Sequence, residues 1–263
     1  MPLRIGVTLP QFRHDADAAI EVARRAEAAG LDGVFVFDHL WPIGQRTRPA
    51  LHSLTLLGAL SAETGRVVLG TLVARVGLVP DAVLVHAFVS LHRMLGGRLV
   101  AALGTGDSLN REENEAYGIP FARAPERLAA LVGCCSGLRA AGVTTWVGGR
   151  SAAIRRAATE ADGWNGWGTD AVTFAREAAD VAPGPALTWG GQVLIARSRA
   201  EAEAKLRTRG DRPGLVSGTA DDLRRHLDGL VEAGASWAVC SPLDVGTDPA
   251  AVEILAEVAA GYR

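Results

Sequence analysis

Short apolar runs alternate with amphipathic stretches along all 263 residues, the rhythm of a parallel sheet whose crossover helices pack on its face. Strand candidates are 3–9 (LRIGVTL), 33–38 (GVFVFD), 67–73 (VVLGTLV), 98–103 (RLVAAL), 143–147 (VTTWV), a short one at 163–166, 186–196, and 236–241 (SWAVCS). Helices are expected at about 15–29, 52–62, 81–95, 123–140 and 249–261, with one more after Gly148-Gly149-Arg150-Ser151. In the third of these, Asp81 caps the start, and Leu84, Phe88, Leu91 and Leu95 share one face. The region from 197 reads as two helices separated by RGDRPG, the later one opening on Thr219 and Asp222, close to a capping box. Eight strands with helices between them favour a closed (β/α)8 TIM barrel over an open sheet. The length would also fit two small domains, but no linker or composition break divides residues 1–263, so one barrel domain is expected.

Composition narrows the function classes. A formal net charge of −2 leaves no basic footprint, so nucleic acid is not an expected partner. No apolar run approaches the roughly 20 residues that span a bilayer, so no membrane partner is expected. Met-Pro-Leu-Arg-Ile-Gly-Val lacks the regions of a signal peptide, which points to a cytoplasmic protein. Cys134, Cys135 and Cys240 have no metal-ligand spacing and read as reduced, packed thiols, and the scattered histidines form no HExxH pair. The expected partner is a small-molecule substrate. The Leu84–Leu95 face reads first as core, with pairing into a homodimer as its other use.

In such a barrel the chemistry lies at the C-terminal ends of the strands. The second strand ends in Asp38-His39-Leu40-Trp41-Pro42, which sets acid/base groups beside a flat apolar surface. The same residues could instead be a loop cap and a satisfied structural histidine. The third ends in Gly70-Thr71-Leu72-Val73-Ala74-Arg75, where Gly70 marks either a bulge near a ligand or ordinary packing, and Arg75 faces an anion or solvent. The fourth leads into Gly104-Thr105-Gly106-Asp107-Ser108-Leu109-Asn110. Its glycines would let backbone approach a ring system, and Asp107 and Asn110 offer an acid and an amide, although a plain turn uses the same residues. The fifth passes through Val147-Gly148-Gly149-Arg150-Ser151 into a helix, giving either a phosphate cradle or a tight turn with a serine cap. Neither loop is a Rossmann fingerprint or a Walker A motif. One barrel places all four ends on the same rim, and a flat-ring pocket beside a phosphate cradle suits a phosphorylated flavin-type cofactor.

The stretches IGVTLPQF, AEAAGLDGVFVFDHLWP, RVVLGTLV, LGGRLVAALGTGDSLNREENEAYGIPFARAPERL, TTWVGGRS with RRAATEADGW, and LVEAGASWAVCSP follow one another in a recognisable order. The chain resembles the luciferase-like monooxygenase superfamily, which holds flavin-dependent monooxygenases and coenzyme F420-dependent oxidoreductases. The deazaflavin branch is more similar, through Asp38-His39 and the GTG-acid-x-x-Asn loop. The resemblance implies an oxidoreductase that passes hydride between coenzyme F420 and a small organic substrate. His39 and Asp107 would be catalytic, His39 exchanging a proton with the substrate oxygen and Asp107 with the ring edge. Asp38, His39, Leu72, Val73, Gly104, Thr105, Gly106 and Asn110 would contact the cofactor, with the family's non-proline cis peptide at Leu72-Val73. Val147, Gly148, Gly149 and Arg150 would meet its phosphate-bearing tail. A reduced-FMN-dependent monooxygenase is the alternative on the same fold, and a non-catalytic flavin-binding protein is the second alternative. Two departures from the family stand out. The insertion between helix four and strand five is reduced to about 140–143, and no motif matches the basic residues that bind sugar phosphate in the branch's dehydrogenase.

Overall fold

The computed structural model describes residues 2–263. In its first half, β1 (Arg4–Thr8), α1 (Asp17–Ala29), β2 (Gly33–Val36), α2 (Ser53–Glu63), β3 (Val68–Thr71), β4 (Ala74–Arg75), α3 (Asp81–Leu95) and β5 (Leu99–Gly104) follow in turn. The short α4 (Arg111–Ala116), α5 (Ala124–Ala140), β6 (Thr144–Gly148), α6 (Ala152–Ala157), β7 (Gly163–Trp167), α7 (Ala171–Ala178) and β8 (Ala186–Ile195) come next. The chain then runs through α8 (Arg199–Arg209), β9 (Val216–Gly218), α9 (Ala220–Glu232), β10 (Ala235–Pro242) and α10 (Ala250–Ala259).

All pairings between strands are parallel, and β10 pairs with both β1 and β8, which closes the sheet into the expected eight-stranded barrel. β3 and β4 are two pieces of one barrel strand, both pairing with β5 and separated by Leu72–Val73, whose peptide bond is cis. β9 lies outside the count of eight and pairs with the last residues of β8. Among the pieces that were not named in advance, β9, α4 and a 3-10 turn at Ser108–Asn110 occupy stretches that read as turn or polar loop, and α7 fills the stretch between the sixth and seventh expected strands. α4 has six residues, too few to show a helical apolar period. The connection from α5 to β6 spans only residues 141–143, so no insertion covers the barrel there.

Alternation along the strands sorts the apolar residues into two cores. Outward-facing Ile5, Val7, Leu69, Leu103, Val147, Trp164, Trp189 and Cys240 pack with helix residues such as Leu60, Phe88, Leu131, Phe174, Leu227 and Val258. Inward-facing Phe35, Leu72, Val100, Ala102, Trp146, Trp237 and Val239 form a separate cluster that plugs the lumen. Its rings meet closely: Phe35 lies 5.7 Å from Trp146 and 5.9 Å from Trp237, and the two indoles are 5.6 Å apart. Burying rings of this size contributes about 2–3 kcal/mol each. Gly70 faces this plug. A Cβ there would sit 2.6 Å from the Phe35 ring, so of its two readings packing is the one realised. Two residues further along β1 and β7 the lining turns polar, with Thr8 donating to Ser241 at 2.9 Å and Asn165 donating to Thr188 at 2.9 Å. The plug therefore forms a closed base, and the strand ends beyond it are free to carry a site. No helix among the described residues is long and apolar enough to cross a membrane.

Candidate active site

The backbone leaving β2 delivers Asp38 and His39 to the rim. Asp38 is buried and fully engaged: one oxygen accepts from Ser53 Oγ at 2.7 Å and the other from the Arg75 amide at 2.9 Å. It ties β2 to α2 and β4, so its side chain is a joint of the rim. His39 is about one-fifth exposed, and its Nδ1 lies 3.2 and 3.3 Å from the two carboxylate oxygens of Glu113.

Glu113, on α4, is the residue that sequence reasoning missed. It is 2% exposed, accepts from the Leu40 amide at 2.8 Å, and pairs with the Arg75 guanidinium at 2.9 Å. Asn110 Nδ2 approaches at 3.4 Å. Burial pushes its carboxyl up, but the His39 bond, the Arg75 charge and the Leu40 amide outweigh that and hold it below the usual carboxylate range. Arg75 also donates to the Asp38 carbonyl at 3.2 Å and to Asn114 Oδ1 at 3.3 Å. The anion that Arg75 faces thus belongs to the protein itself. In sequence, Glu113 sits in REENE, at the end of what reads as a polar loop. The available signal was the pairing demand of a cation and an imidazole at neighbouring strand ends.

In the Leu72–Val73 segment, Leu72 belongs to the plug and Val73 packs against it. Val73 enters between β5 and β6: a Cβ on either Gly104 or Gly148 would overlap its γ-methyl groups. Both glycines are needed for this approach, so the residues at 72–73, 104 and 148 form one packed unit. Phe37 stands edge-on to Trp167 at 5.7 Å and stacks on Phe12 at 6.2 Å, adding flat apolar surface beside it.

Beyond β5, Gly106 takes a left-handed conformation with φ of 64°. Asp107 is exposed and accepts from the Leu109 amide at 2.8 Å, while buried Asn110 accepts from the Asp107 amide at 2.9 Å. The two side chains cap the turn between them. Thr105 is partly buried, and its carbonyl accepts from Arg127 at 2.9 Å. Near the end of β6, the Val147 side chain is wholly buried in the outer core, because alternation turns Trp146 into the lumen instead, so only its backbone can serve a ligand. Ser151 caps α6 by accepting from the Ile154 amide at 3.3 Å. Arg150 is half exposed and bound to Glu177 on α7 at 2.7 and 3.1 Å, a pair that also raises its basicity. The structure thus links His39 and Asn110 through Glu113, joins Asn110 to the Asp107 backbone amide, and packs Val73 against Gly104 and Gly148. Arg150 is held toward α7.

A family model described as luciferase-like monooxygenase matches residues 2–236. The chain belongs to that family. Among curated relatives, this luciferase-like chain is similar to an F420-dependent glucose-6-phosphate dehydrogenase of Nakamurella multipartita, at 36% identity over 135 residues. The match covers 49% of this chain and 38% of that relative. Similarity to the enzyme of the same name from Microbacterium testaceum is 35% over 136 residues, covering 50% and 38%. Among solved structures, an F420-dependent secondary alcohol dehydrogenase in complex with an F420-acetone adduct superposes with a TM-score of 0.82 at 18% identity over 100% of both chains. An FMN complex of the oxygenating constituent of 3,6-diketocamphane monooxygenase from Pseudomonas putida does so with a TM-score of 0.77 at 13% identity over 99% of both. These structural likenesses reinforce the barrel fold.

Proposed function

We propose that this luciferase-like chain is a coenzyme F420-dependent oxidoreductase acting on a small organic substrate. The observation that carries the proposal is His39: its Nδ1 is engaged by Glu113, and its Nε2 has no partner among the described residues. A partly exposed imidazole held at one nitrogen suits proton exchange with a substrate oxygen at the other. The similarity to relatives named as F420-dependent dehydrogenases supports the choice of cofactor.

The residues present fit a flat ring with an anionic tail. Leu72–Val73, packed against Gly104 and Gly148, offers a side-chain-poor floor, with Phe37 and Trp167 as neighbouring flat surface. Thr105 and Gly106 would border the ring. The tail would meet the backbone of Val147, Gly148 and Gly149, with Arg150 able to help only by sharing or leaving Glu177. When bound, the deazaflavin would supply two-electron hydride acceptance or donation. His39 Nε2 would take the hydroxyl proton of an alcohol in oxidation and return it in reduction. Asp107, exposed at the same rim, is assigned proton exchange at the ring edge. The substrate is left uncovered on the side of the three-residue α5–β6 connection.

Titrating the purified chain with F420 and with FMN, followed by turnover on a panel of alcohols, tests the proposal. Saturable F420 binding and alcohol-dependent reduction of the deazaflavin are expected. FMN binding without F420 binding, accompanied by oxygen uptake with reduced FMN, would show a monooxygenase instead. His39→Ala should lower turnover by about 10²–10⁴-fold while F420 binding persists. Turnover unchanged by that substitution would point to a non-catalytic cofactor-binding protein.

A further inference from the structure

We infer that Glu113 is a positioning residue that holds His39 in the tautomer with the proton on Nδ1, leaving Nε2 as the proton-exchanging nitrogen. Its catalytic use rests on the function proposed above; the tautomer itself does not.

Every neighbour of the Glu113 carboxylate brings a donor. The Leu40 amide donates at 2.8 Å and the Trp41 amide lies at 3.4 Å from the same oxygen. On the other oxygen, the Arg75 guanidinium pairs at 2.9 Å and Asn110 Nδ2 lies at 3.4 Å. A buried carboxylate in contact with a guanidinium is an anion, and an anionic carboxylate can only accept. His39 Nδ1, within 3.3 Å of both oxygens, must therefore be the donor. A neutral imidazole carries one N–H, so Nε2 is left with its lone pair. Free histidine prefers the opposite tautomer, with the proton on Nε2. Glu113 reverses that preference.

The same carboxylate also sets where the ring stands. By accepting from the Leu40 and Trp41 amides it grips the backbone on the C-terminal side of His39. Asp38, on the other side, does not compete for the ring, because Ser53 and the Arg75 amide occupy its oxygens. When His39 takes up a proton at Nε2, the positive charge is shared over a ring already bonded to an anion. In the oxidising direction Nε2 would then release the hydroxyl proton to solvent, and the proton needed at the ring edge would come through Asp107; in the reducing direction both transfers reverse. A Glu113 that served only as the counter-ion of Arg75 would have no influence on the tautomer.

The test is a long-range proton–nitrogen correlation spectrum of the ¹⁵N-histidine-labelled chain without cofactor, at a pH where the ring is neutral. His39 is assigned by loss of its signals in His39→Asn. A pyrrole-like Nδ1 and a pyridine-like Nε2 are expected in the wild type; the reverse pattern overturns the inference without any variant having to fold. Glu113→Gln should shift His39 toward the Nε2–H form, and an unchanged pattern in the folded variant would also overturn it. In F420 turnover, Glu113→Gln should lower kcat on the order of 10²-fold with KM changed less. On the His39→Ala background the same substitution should cost less than about threefold, and an undiminished loss there would show that Glu113 does not act through His39. Absence of F420 binding would sink the proposed function and leave the tautomer spectrum standing.

Discussion

Val73 shows how narrowly the floor of the site is fitted. Its two γ-methyl groups use the space that side chains on Gly104 and Gly148 would fill. Gly148→Ala should therefore destabilise the fold by about 1–3 kcal/mol, and Val73→Ala in the same chain should restore part of that loss. Urea unfolding of the two single variants and the double variant measures the coupling, and additive losses would remove the contact as the cause. Asp107 permits a different separation. Asparagine caps as well as aspartate, so Asp107→Asn should leave the melting temperature within a degree or two while lowering turnover about tenfold or more. Equal activity would confine Asp107 to its turn. At this scale the sequence was informative where a residue's task is local, as with the cap at Ser151, while the cis segment at Leu72–Val73 was legible only through the family resemblance. It was blind to Glu113, whose burial depends on Arg75 and His39, 38 and 74 positions earlier in the chain. Val147 shows the converse. A motif places the residue at the rim, while the two-residue period of β6 directs its side chain to the helices.

At the level of elements, the eight barrel strands were legible because each combines apolar alternation with a turn signal. Even β7, GWNGW, with two glycines in five residues, stands between β6 and β8 in register. The pieces that were not legible are short, and they form because neighbouring elements offer unpaired edges or charges. α9 illustrates what tertiary contact adds. Its apolar face buries Leu223, Leu227 and Leu230, but His226 is also turned inward, edge-on to Trp189 of β8 with ring centres 4.9 Å apart. Burial lowers the basicity of His226, and nearby Asp170 offsets this only in part. The folded ring thus takes up its proton at lower pH than the unfolded chain, which protonates near the usual value of 6.5. Stability from this position is complete above that pH and declines as the pH falls through and below it. His226→Phe should flatten this limb of the stability curve between pH 7 and 5. Denaturation midpoints across that range decide the matter, and a slope equal to the wild type would mean that other groups set it.

The whole molecule is a barrel with two separate cores, one inside the strands and one between strands and helices. The three thiols lie in the outer core, Cys134 and Cys135 on α5 and Cys240 on β10. Burial, aided by Asp81, pushes the Cys134 thiol up to about 11, and burial raises Cys135 and Cys240 to about 12. Native protein should be inert to Ellman's reagent near neutral pH and should release three equivalents in denaturant. Fast reaction of one thiol in the native state would reveal local opening of its element. The inner core carries a consequence of its own. Trp237 sits on β10, the strand that seals the barrel, and its indole couples at 5.6 Å to that of Trp146 on β6, across the lumen. Two aromatic chromophores so placed share their excited states and split their ultraviolet circular dichroism into paired lobes of opposite sign. Those lobes form an optical gauge of closure, absent while the final strand is adrift and present once it is home.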